Sequence, residues 1–215
     1  MAYHHYAELI AFLAGCLLLN SKWPAHFKWL VALVGLTFVV EIAGHILWTR
    51  YRMYNNWLYN LYLPIQCLAF LLFFIKSSTH QVIIKVQKSL LWLMLAGTII
   101  TWILHRNFWL LNSHGSTVYL FLMLVASCLF FVDAVVNNVE VRLVKQAPFW
   151  VAAGLLFFTV VFILFFALWL VNFTVPYYNT VFSYSVIAAN TFLYGGLIAS
   201  FICLHLTKNY SMHSS

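Results

Sequence analysis

Residues 29–49 read WLVALVGLTFVVEIAGHILWT, an apolar stretch that holds one acidic residue, Glu41, and one histidine, His45. A helix of about twenty such residues is long enough to cross the hydrocarbon core of a bilayer. A carboxylate is costly in that environment, so Glu41 must pair, take up a proton or face water. The stretch therefore predicts a transmembrane helix with a pairing or functional site past its middle.

Six further apolar stretches flank this one, so the chain is predicted to be a single all-α domain, residues 1–215, with seven transmembrane helices. The predicted spans lie near residues 6–20, 29–49, 57–75, 88–104, 116–136, 149–172 and 180–206. The composition agrees, because 65% of the 215 residues are hydrophobic and 7% are charged, against about 25% charged in soluble domains. The connection 76–88 is expected to lie along the interface as an amphipathic segment. The first span is expected to be retained rather than cleaved, and no effector domain is expected after the last.

Basic residues divide unequally between the two sides of this arrangement. The loops after the first, third and fifth spans and the tail hold eight: Lys22, Lys28, Lys76, Lys85, Lys88, Arg142, Lys145 and Lys208. The opposite loops hold three: Arg50, Arg52 and Arg106. Because basic residues accumulate on the cytoplasmic side, we expect the N-terminus outside and the C-terminus inside a bacterial inner (cytoplasmic) membrane. These residues are scattered, so the net charge of +7 does not indicate a nucleic-acid partner.

Polar residues within the spans collect towards the outer half of the second, third and seventh spans. Their helical spacing places several on common faces, as for Tyr59, Tyr62 and Gln66. We expect eight of them to form an outward-facing ligand pocket: Glu41, His45, Asn60, Gln66, Asn190, Tyr59, Tyr62 and Tyr194. Glu8 is expected at its mouth. Hydrogen bonding between helices, without a ligand, would also account for such residues.

Cofactor chemistry finds little support in the sequence. His45 and His105 are the candidates for a metal or haem site between the second and fourth spans. A retinal Schiff base requires a lysine buried in a span, and every lysine falls in a loop, at a span boundary or in the tail. Common catalytic motifs are absent, so no cofactor and no enzymatic activity are predicted. Asp133, near the inner end of the fifth span, is expected to reach water or Lys145.

The run EIAGHILWTRYRMYNNWLYNLYLPIQCLAFLLFF, residues 41–74, resembles the second and third spans of uncharacterised seven-span membrane proteins of the Bacteroidetes type. The matching residues are Glu41, Gly44, Asn56, Tyr59, Asn60, Tyr62 and Gln66. PFWVAAGLLFF resembles the start of the sixth span in that family, with Trp150 and Gly154 in place, and Asn190 matches a mid-helix asparagine of the last span. Some related architectures place such a module before a cytoplasmic signalling domain, so the resemblance implies a sensory role.

Four classes of function remain open on these residues. A receptor-like module that binds a small ligand is the leading hypothesis, followed by a transporter or channel and by an assembly subunit of a membrane complex. A membrane enzyme would have Glu41 and His45 as its acid–base pair. The expected partners are the lipid bilayer, a signalling protein in the membrane or cytoplasm, and a second copy of the chain.

Overall fold

The computed structural model describes residues 3–105, 107–136, 143–170 and 178–210, and the side chains of 5–105, 107–136, 143–165 and 180–207. Within these ranges the chain forms seven α-helices, one short 3₁₀ turn at Leu143–Lys145 and no strand. The helices are α1 (Tyr3–Leu18), α2 (Ala25–Tyr51), α3 (Asn56–Ser77), α4 (Gln81–Leu104), α5 (Ser113–Val136), α6 (Ala147–Leu170) and α7 (Tyr178–Tyr210). The predicted all-α architecture is confirmed. Arg106 and Arg142, which entered the prediction of orientation, lie outside the described residues.

Six of these helices, α2 to α7, are long and apolar enough to cross a membrane, which makes the chain a multi-pass membrane protein. Their surfaces are apolar, as contact with lipid requires; Trp92 and Ile103 on α4, for example, are 71% and 74% exposed. Helix α1 is also apolar but has 16 residues, a length of about 24 Å. The hydrocarbon core is about 30 Å thick, so α1 alone falls short of it.

The helices pack as a closed ring in the order α1, α2, α3, α5, α6, α7, and α7 returns to α1. Helix α4 lies outside this ring against α3 and α5. Helix α1 runs antiparallel to α2, because the ring of His5 meets that of His45 while Gly15 lies against Val31. The ring therefore has one end formed by the N-termini of α1, α3, α5 and α7 and another formed by their C-termini.

Small residues let α6 and α7 approach closely. A Cβ atom added at Gly196 would lie 2.5 Å from the backbone oxygen of Trp150, and one at Gly154 would lie 2.9 Å from that of Phe192. Because lipid offers no hydrophobic drive between helices, such close backbone packing is a main source of their association. These two glycines therefore allow α6 and α7 to pack closely against each other.

Helix α4 begins at Gln81, so most of the connection 76–88 is part of a continuous helix and the prediction of a separate interfacial segment is wrong. The reason is Asp133 on α5. Its carboxylate accepts hydrogen bonds from the backbone N–H groups of Thr79 at 3.0 Å and His80 at 2.8 Å. These N–H groups belong to the two residues before α4, so the carboxylate fixes the turn from which the helix starts, at the end where the helix dipole favours a negative charge. Asp133 thus ties this turn to α5 and is buried, with 4% of its surface exposed.

Candidate functional site

A cavity of about 510 Å³ lies inside the ring among α2, α3, α5, α6 and α7. Its lining residues belong to the C-terminal parts of α2 and α6 and the N-terminal parts of α3, α5 and α7, so it occupies one end of the bundle. Six of the eight sequence-predicted residues line it: Glu41, Tyr59, Tyr62, Gln66, Asn190 and Tyr194. A cavity of this size with a few convergent polar groups suits a small molecule.

One wall of the cavity is polar and is built by α2 and α3. Helix α2 ends where Arg52 adopts a left-handed conformation with φ of 54°, and the chain turns back into α3. The Tyr59 hydroxyl then donates to Glu41 Oε2 at 2.9 Å. One turn further along, Thr37 Oγ1 donates to the Leu33 carbonyl at 2.8 Å and also pairs with the Tyr62 hydroxyl, so Tyr62 must be the donor in that pair.

The opposite wall is aromatic and is built by α6 and α7. It consists of Phe158, Phe162, Phe165 and Phe182. The rings of Phe165 and Phe182 meet edge to face with their centres 4.9 Å apart, and those of Phe158 and Phe162 lie 4.6 Å apart. The first of these contacts joins α6 to α7, and the second lies within α6. The cavity therefore has polar groups facing an apolar, π-rich surface.

A second acidic group lies behind the polar wall. Glu8 on α1 is 1% exposed, and its Oε2 atom has no hydrogen-bond partner among the described residues. The Tyr194 hydroxyl is its hydrogen-bonding neighbour, and the Glu41 carboxylate is near enough to repel it electrostatically. Glu8 was expected at the mouth of the pocket, but the structure buries it between α1 and α7.

Asn60 lies on a different face of α3 from the cavity. Its side-chain amide donates to the carbonyls of Phe108 at 3.0 Å and Leu110 at 2.8 Å, and its oxygen accepts the N–H of Asn112 at 2.9 Å. All three partners belong to the segment between α4 and α5. Asn60 is therefore used to hold that segment, and the structure does not bring it to the predicted pocket.

The two histidines proposed for a metal or haem have separate surroundings. The His45 ring lies against that of His5, with centres 5.6 Å apart. The His105 ring nitrogen Nε2 lies 2.9 Å from the Leu110 carbonyl and lines a smaller cavity with Asn60. Helix α4 lies outside the ring against α3 and α5, and the structure does not bring His45 and His105 together. In the part of the chain that the structure describes, no three His, Cys, Asp or Glu side chains group for a metal ion.

Several lining residues were missed by sequence reasoning. These are Thr37, Asn56, Leu63, Leu111, Ser116, Leu120 and Val186, together with the four phenylalanines of the aromatic wall. Ser116 lies at the same end of the bundle as Tyr59, since α3 and α5 both start there. Helix α6 is apolar on every side, so its sequence gives no sign of the face that turns inward. The depth of Ser116 in the fifth span was the signal in the sequence that could have indicated this residue.

Comparison with known proteins adds no relative. No protein-family model matches the chain, and neither the curated proteins nor the solved structures gave a significant match. Any statement about function therefore rests on the cavity and its chemistry.

Proposed function

We propose that the chain is a seven-span receptor-like protein that binds a small ligand in the cavity at one end of the bundle. The observation that carries this proposal is the cavity of about 510 Å³, whose lining combines polar groups such as Glu41, Tyr59 and Asn190 with four phenylalanines. Binding sites of roughly 300–1,000 Å³ are typical for small molecules, and a few polar groups in them fix the ligand's orientation.

The seventh span in this proposal is α1. It packs between α2 and α7, both of which have spanning length, and its first turns lie at the cavity end of the ring. The excess of basic residues in the loops at the other end supports a cytoplasmic position for that end. The N-terminus would then be outside, the cavity would face outward, and a bacterial inner membrane would be the location that the sequence resemblance favours.

The opposite half of the bundle supports a receptor over a channel or transporter. Phe70, Phe73, Phe74 and Phe201 are at most 1% exposed and fill that half. A solute path through the bundle would have to open between these rings, whereas a receptor requires no path. Ligand contacts that differ between two helix arrangements would pass a signal to a partner protein at the inner face.

The test is to fill the cavity. Val186→Trp places an indole in it, while Val181→Trp makes the same change on the same helix at a site that is 53% exposed and does not line the cavity. We expect native mass spectrometry of the wild-type protein and of Val181→Trp to show a retained small molecule that Val186→Trp lacks. Equal retention by both variants, or a bare mass for the wild-type protein together with no thermal shift from a metabolite panel, would contradict the proposal.

A flux measurement separates the transporter alternative. Proteoliposomes that contain the wild-type protein should show no movement of the identified ligand above that of empty vesicles. Ligand movement that Val186→Trp abolishes would support a transporter instead.

A further inference from the structure

The hydroxyl hydrogens of the cavity are already engaged with the protein. Thr37 donates to the Leu33 carbonyl, and Tyr62 to Thr37. Tyr59 donates to Glu41 at 2.9 Å. Ser116 donates to the Asn112 carbonyl at 2.9 Å. A hydroxyl whose hydrogen is engaged presents its oxygen lone pairs to any further partner.

The amide of Asn190 is engaged in part. Its nitrogen donates one of its two hydrogens to the Val186 carbonyl at 3.0 Å on its own helix, and its oxygen can accept from a ligand. A carboxylate accepts from several donors at once, so Glu41 can accept from a ligand as well as from Tyr59. Gln66 and Asn56 add amide groups that both donate and accept. The polar groups that line the cavity are therefore rich in acceptors and poor in hydroxyl donors.

The charged residues at the cavity also favour a ligand that donates hydrogen bonds. Its lining holds one carboxylate, Glu41, and within the described residues no lysine or arginine. Glu8 places a second carboxyl group near Glu41, and its Oε2 atom lacks a hydrogen-bond partner among those residues. Burial disfavours an isolated negative charge, so a ligand that brings a positive charge would stabilise the ionised form of Glu41. The phenylalanine wall suits the same ligand, because aromatic faces attract cations.

We propose that the ligand is a small organic cation, a protonated amine with an apolar or aromatic body. Its ammonium group donates to Glu41 and to the oxygens beside it, and its body packs against the phenylalanines of α6 and α7. This inference rests on the proposed function and specifies the ligand class for the same cavity.

The probes are three molecules of similar size: 2-phenylethylammonium, 2-phenylethanol and 3-phenylpropanoate. Binding is measured by calorimetry on the wild-type protein in nanodiscs, and the heat seen with Val186→Trp is subtracted as partition into lipid. We expect the ammonium to bind about tenfold or more tightly than the alcohol and the carboxylate not to bind, since hydrogen bonds between ionised groups are the stronger ones.

The variant Glu41→Gln keeps the size of the side chain and removes its charge. It should lose the preference for the ammonium over the alcohol. Asp133→Asn makes the same chemical change at the other end of the bundle and should keep the preference. If Glu41→Gln fails to fold, the comparison of the three probes on the wild-type protein decides the matter alone.

Two results would overturn the inference. The first is equal affinity of ammonium and alcohol at a site that Val186→Trp blocks, which leaves a ligand cavity in place but refutes the preference for a cation. The second is absence of ammonium binding to the wild-type protein. The proposed function itself is judged separately, by the molecule retained in the native mass spectrum.

Discussion

Glu41 on α2 and Tyr59 on α3 are joined by a hydrogen bond of 2.9 Å from the phenol to the carboxylate. Gly44, three residues beyond Glu41, provides the room for it, because a Cβ atom there would lie 3.1 Å from the Tyr59 hydroxyl. The pair connects two neighbouring helices at the cavity wall. It also orients the acidic group on which binding of a cation would depend.

Tyr59→Phe removes this bond and leaves the ring in place. We expect the free energy of unfolding to fall by about 1 kcal/mol, the usual size of a hydrogen bond between transmembrane helices. Unfolding by sodium dodecyl sulfate in mixed micelles measures it. Tyr184→Phe, at a tyrosine that is 70% exposed, is the matched control and should cause no change. A double-mutant cycle with Glu41→Leu, which removes the acceptor, should show most of this loss as coupling energy between the two side chains; additive losses would contradict the pairing.

Asn60→Ala should lower stability and leave ligand binding unchanged. The substitution removes three hydrogen bonds to the segment between α4 and α5, and we expect a loss of about 2 kcal/mol in the same unfolding measurement. Asn56→Ala, one turn earlier on α3, changes a residue that lines the cavity. It should weaken binding of the copurified molecule more than it lowers stability. The reverse pattern in the two variants would show that Asn60 belongs to the ligand site.

The sequence predicted one wall of the cavity well because helical spacing fixes it. Tyr59, Tyr62 and Gln66 follow each other at offsets of three and four residues, so they share a face whatever that face meets. Asn60 follows Tyr59 by one residue, which turns its side chain by about 100° around the helix axis. The prediction placed Asn60 in the pocket on the assumption that its side chain faces the same cavity as Tyr59. The structure shows that it faces the segment between α4 and α5 instead.

The other wall could not be predicted, because it depends on which helices are neighbours. Periodicity describes a single helix, and α6 is apolar all round, so Phe158 and Phe162 look the same as the residues that face lipid. The position of α4 outside the ring could not be predicted for the same reason. Asp133 shows a related limit: its hydrogen bonds to Thr79 and His80 require that α5 pass beside the turn between α3 and α4.

Asp133→Asn should loosen the start of α4. The amide can accept from one backbone N–H and places its NH₂ group against the other, so we expect a loss of about 1 kcal/mol. Hydrogen exchange measured by mass spectrometry should show the effect most strongly in the first turns of α4. Thr79→Val is a milder control, because it removes the longer hydroxyl contact of 3.4 Å and keeps both backbone bonds. A change in exchange spread evenly along α4, or no change at its start, would contradict this role of Asp133.

Labelling of single cysteines tests the direction of the helices in the membrane. Tyr54→Cys lies in the loop between α2 and α3, at the cavity end, and Lys22→Cys lies in the loop between α1 and α2; both sites are exposed. An impermeant maleimide should label Tyr54→Cys in intact spheroplasts, and should label Lys22→Cys after permeabilisation, above the background of the wild-type cysteines. An epitope tag placed before Met1 should be accessible on the same side as Tyr54→Cys if α1 crosses the membrane. A tag that becomes accessible only after permeabilisation, as Lys22→Cys does, would show that α1 does not cross the membrane and that the protein has six spans.

Gly196→Ala and Gly195→Ala form a pair that isolates the packing of α6 against α7. Both changes raise helix propensity by a similar amount, about 1 kcal/mol in solution. The Cβ atom at Gly196 would lie 2.5 Å from the backbone oxygen of Trp150, whereas at Gly195 it meets nothing within 4 Å in the described part of the chain. Because a backbone atom cannot move aside as the end of a side chain can, we expect Gly196→Ala to cost about 1–3 kcal/mol relative to Gly195→Ala. The unfolding measurement in mixed micelles gives this difference directly. Equal stability of the two variants would mean that α6 and α7 are not held together by contact at this glycine.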